Sequence, residues 1–406
     1  MHSQLWIRLY RTTPIPGWNE GVFSCHCFIG PASAATRAKW AWGCQEPASR
    51  LGGARSHATL FVTGATMISE MMTALAYLVV AGLINSAYTL PLKLKLRWKW
   101  ENMWFAFTII GICILPCALG MLTIPDFWLI YDQIELRSVL VVAFSGAIWG
   151  VGMLLSGVAV GLIGVAAMFA TVMGTSASVG AMLPLFVKGW GGVSLRAGLM
   201  LSLGIGLTIL GVALCGCAGK QREKDEAVEV GHRASRFLRG FLFAVLAGIS
   251  GSMLNFGLAA GTPLIDAARQ HGSSARMATN AAWVPVLLAG AIPGILYCVY
   301  LLKKNGTAGN FLCWSTFPYL FFPLLMGVLW FGSVVLYGWA TLRIGNLGEI
   351  VGWPLFMVTI VLGSALWGVV TGEWKKASGR ARVLMASAVC VLVVAIIVLT
   401  GARVGV

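Results

Sequence analysis

Residues 146–164 read G-A-I-W-G-V-G-M-L-L-S-G-V-A-V-G-L-I-G, and four of these residues recur 181 positions later (327 − 146) in residues 327–345. The paired residues are Gly146 and Gly327, Trp149 and Trp330, Gly157 and Gly338, and Gly164 and Gly345. A second set, 184 positions apart (374 − 190), pairs Trp190, Ser194, Arg196 and Ala197 with Trp374, Ser378, Arg380 and Ala381. These identities at two nearly equal separations indicate an internal repeat.

The composition assigns this repeat to a membrane protein. Of the 406 residues, 58% are hydrophobic and 11% are charged, whereas a soluble domain carries roughly a quarter charged residues. About 20 apolar residues are needed to span a bilayer core. In lipid such a run must be helical, because no water is available to satisfy open backbone groups. We therefore predict an all-α integral membrane protein.

The apolar runs predict ten transmembrane helices. The run at 138–187 is too long for one span, so we interpret Gly157, Gly161 and Gly164 as a tight turn that divides it. The other spans are predicted at 71–92, 102–125, 197–219, 240–265, 277–302, 315–342, 347–372 and 383–402. The two copies begin in the third and the eighth span, a displacement of five spans, so the copies should face opposite ways. Two inverted five-helix repeats are typical of alternating-access carriers.

The predicted domains follow from this arrangement. Residues 71–218 form the first five-helix repeat, 219–239 a cytoplasmic linker, and 240–402 the second repeat. Lys and Arg concentrate in the loops on the linker side, which the positive-inside rule assigns to the cytoplasm. Both termini of the helical body are therefore expected outside. This topology also explains the net charge of +15 without a nucleic-acid partner.

Residues 1–66 differ from the rest of the chain. They contain Pro14 and Pro16 but no apolar run long enough to span a bilayer, and they lack the layout of a signal peptide. We interpret them either as an unstructured tail or as upstream sequence that is not translated, with an internal start at a methionine between residues 67 and 72. Both alternatives stay open.

Glu349 is the candidate for proton coupling. It lies near the start of the ninth predicted span, and a carboxylate inside a span is costly enough to be a functional candidate by default. Burial would favour its neutral form, so it could take up and release a proton. The alternative is that Glu349 lies at the membrane edge and pairs with Arg343 or with water.

Three polar side chains inside the spans are candidates for substrate binding. Asn85 and Tyr88 precede Pro91 in the first span, and Asn255 precedes Pro263 in the sixth. Amide and phenol groups in a bundle can bond to sugar hydroxyls. They can equally bond to a neighbouring helix, and the sequence does not decide between these roles.

Three tryptophans are further candidates. Trp149 and Trp330 are predicted near the middle of their spans, whereas most tryptophans of membrane proteins lie at the interfaces. An indole there could stack on the apolar face of a sugar ring or simply pack in the core. Trp353 lies four residues after Glu349, and therefore on the same helix face.

Metal and enzyme chemistry find little support. The ten cysteines show no metal-ligand spacing, so neither a metal nor another cofactor is expected. Asp126, Asp132 and Glu135 do not follow a recognised metal motif. A membrane enzyme acting on a lipid-linked substrate is therefore the weaker alternative to a transporter driven by a proton gradient.

The chain resembles the L-rhamnose–proton symporter family of the drug/metabolite transporter superfamily. The resemblance covers residues 71–402 and is carried by four stretches: N-S-A-Y-T-L-P-L-K-L-K with W-K-W-E-N-M-W at 85–104, I-P-D-F-W at 124–128, G-A-I-W-G-V-G at 146–152, and G-E-W-K-K-A-S-G-R at 372–380. It implies a multi-pass protein of the cell (inner) membrane, with ten spans, that takes up a 6-deoxyhexose together with a proton.

The family pattern places an acidic residue shortly after an Arg-Ile pair, and here Arg343, Ile344 and Glu349 fill those places. Residues 259–277 and 303–316 depart from the family pattern, so sugar contacts in those loops are not carried over. An exporter or exchanger of another small metabolite is the alternative within the superfamily, and the oligomeric state stays open.

Overall fold

The structure is a computed structural model that describes residues 54–94, 96–163, 165–188, 194–226, 234–370, 372, 374–375 and 377–401. Within these ranges the regular structure is helical and contains no strand, which confirms the all-α class. The α-helices of this part are α1 Ala54–Ala87, α2 Trp100–Phe107, α3 Leu115–Thr123, α4 Leu129–Asp132, α5 Leu136–Ile163, α6 Val165–Lys188, α7 Leu195–Glu226, α8 Ala234–Ala260, α9 Thr262–Gln270, α10 Asn280–Lys304, α11 Phe321–Ile344, α12 Gly348–Val370 and α13 Gly379–Gly401.

Nine segments of the described chain are long and apolar enough to cross a membrane. They are 69–92, 100–123, 136–159, 195–221, 238–270, 280–304, 314–344, 348–370 and 379–401. The second of them joins α2 to α3 through a π-helical stretch, Thr108–Ile114. These segments confirm a multi-pass membrane protein. Helix α6, with 24 residues, is not among the nine, so the count of ten stays a prediction.

The break between α5 and α6 is shorter than the predicted turn, which included Gly157 and Gly161. Helix α5 continues through Gly157 and Gly161 to Ile163, and α6 begins at Val165. Gly157 does not bend the chain, and a Cβ added there would meet nothing within 4 Å. At the equivalent place in the second copy, Gly345 ends α11 with φ +83°, a conformation that glycine adopts without steric cost.

Three helices extend beyond the predicted boundaries. Helix α1 begins at Ala54, inside the predicted tail, and residues 1–53 lie outside the described residues. Helix α7 continues to Glu226 and α8 begins at Ala234, so much of the predicted linker is helical. The charged run after Gly219 is rich in Lys, Arg, Glu and Gln, which are good helix formers.

Glycines allow the central helices to approach closely. A Cβ on Gly146 would overlap the backbone carbonyl of Val286 in α10, and Gly150 lies against Gly290 of the same helix. A Cβ on Gly327 of α11 would lie 2.7 Å from the Cα of Gly111. Small residues promote such contacts in lipid, where packing rather than the hydrophobic effect joins helices.

Candidate functional site

Asn255 joins four helices in the core of the bundle. Its side chain is fully buried, and Nδ2 donates to the carbonyl oxygens of Gly180 (2.8 Å) and Glu349 (3.0 Å). Its Oδ1 accepts a hydrogen bond from the hydroxyl of Tyr337. Helices α6, α8, α11 and α12 therefore meet at one amide group. In this conformation both amide hydrogens bond to neighbouring helices, the second of the two predicted roles.

Glu349 and Trp353 lie beside this group. Glu349 is half-buried in the first turn of α12, and its backbone oxygen accepts the hydrogen bond from Asn255. The ring of Trp353 contacts Tyr337 edge-on with centroids 5.4 Å apart. The indole Nε1 donates to the carbonyl oxygen of Ser176 at 2.9 Å. We call Asn255, Tyr337, Glu349 and Trp353 the asparagine cluster.

The predicted partner of Glu349, Arg343, has an acid of its own on another helix. The Arg343 guanidinium forms an ion pair with Glu70 of α1, and it lies over the ring of Tyr77 at 5.8 Å. This ion pair connects the end of α11 to the beginning of the first membrane segment.

Trp149 and Trp330, the tryptophans of the repeat, stack on each other. Their ring centroids are 5.5 Å apart, with an interplanar angle of 25°. Phe107 meets Trp330 edge-on at 6.3 Å, and Tyr88 packs against Phe107 at 5.6 Å. In this conformation the two indoles pack in the core, one of the two roles open to them from the sequence.

Asn85 connects this aromatic group to α11. Its Nδ2 donates to Ser333 Oγ at 2.7 Å, and Ser333 Oγ donates to the carbonyl oxygen of Trp330. Trp330, Ser333 and Tyr337 follow one another at intervals of three and four residues, so they share one face of α11. This face carries Trp330 and contacts Asn85, Trp149, Asn255 and Trp353. Tyr88 reaches it through Phe107. Ser333 and Tyr337 were not predicted, although their spacing from Trp330 could have indicated them.

A buried carboxylate lies at the beginning of α2. Glu101 is 5% exposed, and its Oε1 accepts hydrogen bonds from Asn305 Nδ2 (3.0 Å) and Thr307 Oγ1 (2.9 Å). The adjacent Asn102 donates to the carbonyl oxygen of Thr307 at 2.9 Å and accepts from Asn310 Nδ2 at 3.1 Å. We call this group the Glu101 end of the segment 100–123. Sequence reasoning missed Glu101 because the predicted span began one residue later.

The other end of this segment is also connected to a distant part of the chain. Asn280 of α10 is fully buried, and its Nδ2 donates to Thr123 Oγ1 at 3.2 Å. Ser273 donates to the carbonyl oxygen of Thr123 at 3.1 Å, and Tyr131 donates to that of Ala281 at 2.9 Å. Burial raises the pKa of Tyr131, so this donor stays neutral. We call this group the Asn280 end.

Metal chemistry finds no support in the described part of the chain, where no three His, Cys, Asp or Glu side chains group closely enough to hold an ion. The polar groups in the described part of the bundle are amides, hydroxyls and indoles, together with the buried carboxylate of Glu101 and the half-buried carboxylate of Glu349. Such groups can bind hydroxylated solutes and protons.

Comparison with known proteins identifies the family. Residues 67–405 match the family described as L-rhamnose-proton symport protein (RhaT). The L-rhamnose-proton symporters of Salmonella gallinarum, Salmonella dublin and Salmonella enteritidis are each 29% identical to the chain over 313 residues, which cover 75% of this chain and 90% of theirs. The family and these relatives are transporters and not enzymes. The chain therefore belongs to the L-rhamnose-proton symport protein family and is a membrane transporter.

Proposed function

We propose that this protein takes up a 6-deoxyhexose, with L-rhamnose as the first candidate, by symport with a proton. The observation that carries this proposal is the family match over residues 67–405, and relatives with 29% identity support it. The polar and aromatic face of α11 suits a sugar, because amides and hydroxyls can bond to sugar hydroxyls while indoles can cover the apolar face of the ring.

The proposed architecture is ten helices in two inverted halves, 71–218 and 240–402, with α6 as the tenth span. Equivalent contacts made in both directions between the two halves support it. Trp149 stacks on its repeat partner Trp330. Gly146 packs against Val286 in the second span of the other half, and its partner Gly327 packs against Gly111, again in the second span of the other half. Two similar halves can then rock about this central contact.

Glu349 is the proposed proton-coupling residue. It lies beside Tyr337 and Asn255, which join α6, α8, α11 and α12. A change of charge at Glu349 would therefore act where helices of both halves meet. When these helices separate, Asn85, Tyr88, Asn255 and the three tryptophans become available to a sugar.

The proposed location is the cell (inner) membrane, with the linker 219–239 in the cytoplasm and both ends of the helical body outside. The apolar surface residues of the bundle, such as Leu122 and Leu195, support insertion in lipid. The tail 1–66 is proposed to have no part in transport, and the first membrane segment begins at Ser69.

Uptake of labelled L-rhamnose into proteoliposomes with an imposed proton gradient tests the function. We expect accumulation that disappears when a protonophore collapses the gradient. Uptake that is unaffected by the protonophore would remove the proton from the mechanism. An absence of uptake that coincides with uptake of another metabolite would favour the exporter or exchanger alternative.

Glu349→Gln tests the coupling residue. We expect it to lose proton-driven accumulation while retaining sugar exchange across the membrane, because the amide keeps the shape of the side chain but cannot be ionised. Asp266→Asn is the matched control, since Asp266 is half-exposed and pairs with Arg269 at 3.3 Å. Full proton-driven accumulation of the sugar by Glu349→Gln would show that Glu349 is not the coupling residue.

A further inference from the structure

Glu101 is the one buried carboxylate among the residues whose burial is described. It is the second residue of a membrane segment, and a carboxylate shielded from water there must be compensated by other polar groups. Its hydrogen-bond donors are a neutral amide and a neutral hydroxyl, so they stabilise an ionised carboxylate without removing its charge. Because these donors favour the ionised form, breaking their bonds during a cycle would increase the affinity of Glu101 for a proton.

The contacts of Glu101 cross between the proposed halves. Glu101 belongs to the second span of the first half, whereas Asn305 and Thr307 follow α10 in the second half. The charged and titratable groups that interact with it are Lys99 in the same turn and Cys298 in α10, while Lys303 and Lys304 are exposed residues at the end of α10. A movement that separates the halves at this end must break these hydrogen bonds.

The repeat relates this end to the opposite one. Asn102 and Asn280 are 178 positions apart (280 − 102), and each lies at the beginning of the second span of its half. The close helix contacts suggest a similar separation. Gly327 lies against Gly111, and its repeat partner Gly146 lies against Val286, so Gly111 and the region of Val286 occupy equivalent places. Each asparagine bonds to the other half, but at opposite ends of the segment 100–123. Among the described residues, only the Glu101 end has a buried acid beside its buried asparagine.

We propose that Glu101 is a second proton-binding residue of the transport cycle, which closes one face of the bundle when ionised and releases it when protonated. The inference rests on the proposed proton symport. Hydrogen bonds to an ionised acceptor are about twice as strong as neutral ones. When a proton from water on that face binds the carboxylate, the bonds from Asn305 and Thr307 weaken and the segment 305–310 can move away. Glu101 is a positioning residue, because it acts through these contacts and not on the sugar.

Cysteine labelling tests this proposal in the full chain without any sugar. Cys298 is buried near Glu101, and Cys117 lies in α3 toward the other end. In a variant that keeps only Cys298, we expect labelling by a thiol reagent to accelerate about tenfold as the pH falls, which corresponds to about 1.4 kcal/mol. The exposed Cys217 of α7, kept alone in a second variant, corrects for the intrinsic reactivity of a thiol at each pH.

Glu101→Gln supplies the decisive comparison. Because glutamine resembles the protonated acid, we expect fast labelling of Cys298 at every pH. In a third variant that keeps only Cys117, Glu101→Gln should leave the labelling rate unchanged. A corrected Cys298 rate that does not vary with pH in the unsubstituted background would overturn the proposal. The same pH dependence in Glu101→Gln would overturn it as well.

Hydrogen exchange of residues 305–312 gives the same test without replacing any cysteine. We expect faster exchange, corrected for intrinsic rates, at acidic pH in the unsubstituted chain and at all pH values in Glu101→Gln. A pH-dependent Glu101 end in a chain that does not take up L-rhamnose would support the inference while rejecting the sugar. Rhamnose–proton uptake with pH-independent exchange would reject only the inference.

Discussion

The Glu101 end and the Asn280 end of the segment 100–123 are built from the same kind of residue but differ in charge. Each has a fully buried asparagine that bonds to a distant part of the chain. At the Glu101 end a buried carboxylate is added, whereas the nearest acid at the Asn280 end, Asp126, is 69% exposed and lies 3.9 Å from His271. In the proposed repeat and proton symport, the two related ends would thus respond differently to a proton, as binding and release at different faces require.

The largest effect is expected at Gly111, midway between the two ends of the segment 100–123, where Gly327 packs against it. Gly327→Val should destabilise the protein by about 3 kcal/mol, because its side chain would collide with the backbone of Gly111 and force the helices apart. Thermal unfolding in detergent measures this change. Gly157→Val is the matched control in the other copy, since nothing lies within 4 Å of a Cβ there. Equal losses for the two variants would mean that the ends are not connected through this contact.

A smaller difference should separate the two asparagines. Asn102→Ala removes bonds to Thr307, Asn310 and the backbone of Lys99 and should cost about 2 kcal/mol. Asn280→Ala removes one long hydrogen bond to Thr123 and a weak one to the sulfur of Met277 and should cost about 1 kcal/mol. Unfolding of both variants in the same detergent provides the comparison. A larger loss for Asn280→Ala would reverse our assignment of the stronger end.

The smallest effect is expected for the exposed acid. Asp126→Asn should change stability by less than about 0.5 kcal/mol, because exposed ion pairs contribute little, and it should leave proton-driven uptake intact. Uptake and thermal unfolding, measured beside Glu101→Gln, compare the two acids directly. Loss of coupling in Asp126→Asn would show that both ends respond to protons and would remove the asymmetry.

The sequence predicted the class of the protein because hydropathy is a local property. Each membrane segment must be apolar over its whole length, so the runs of apolar residues indicated where nine of the segments lie. Helix ends were predicted less well. Helix α5 continues through Gly157 because a glycine is tolerated inside a membrane helix, and α7 continues beyond Gly219 because its charged residues favour a helix in water as well.

The candidate site was predicted as separate residues. Asn85, Asn255, Glu349 and the tryptophans were chosen because polar and aromatic groups inside a span are exceptional, which the sequence alone reveals. Their partners could not be predicted, because Tyr337 and Gly180 contact Asn255 across 82 and 75 positions of the chain. Glu101 was missed because its burial comes from the segment after α10, about 200 positions away.

By itself the sequence determined the membrane class and the family resemblance, and it predicted the repeat, since these depend on composition and on matches along the chain. Only the tertiary structure decided that Trp149 stacks on Trp330, that Asn255 joins four helices, and that the buried acid of the bundle is Glu101. The physical reason is that burial and hydrogen bonding depend on which helices are neighbours. In lipid all apolar helix surfaces are nearly equivalent, so the close fit of glycines and polar groups selects those neighbours.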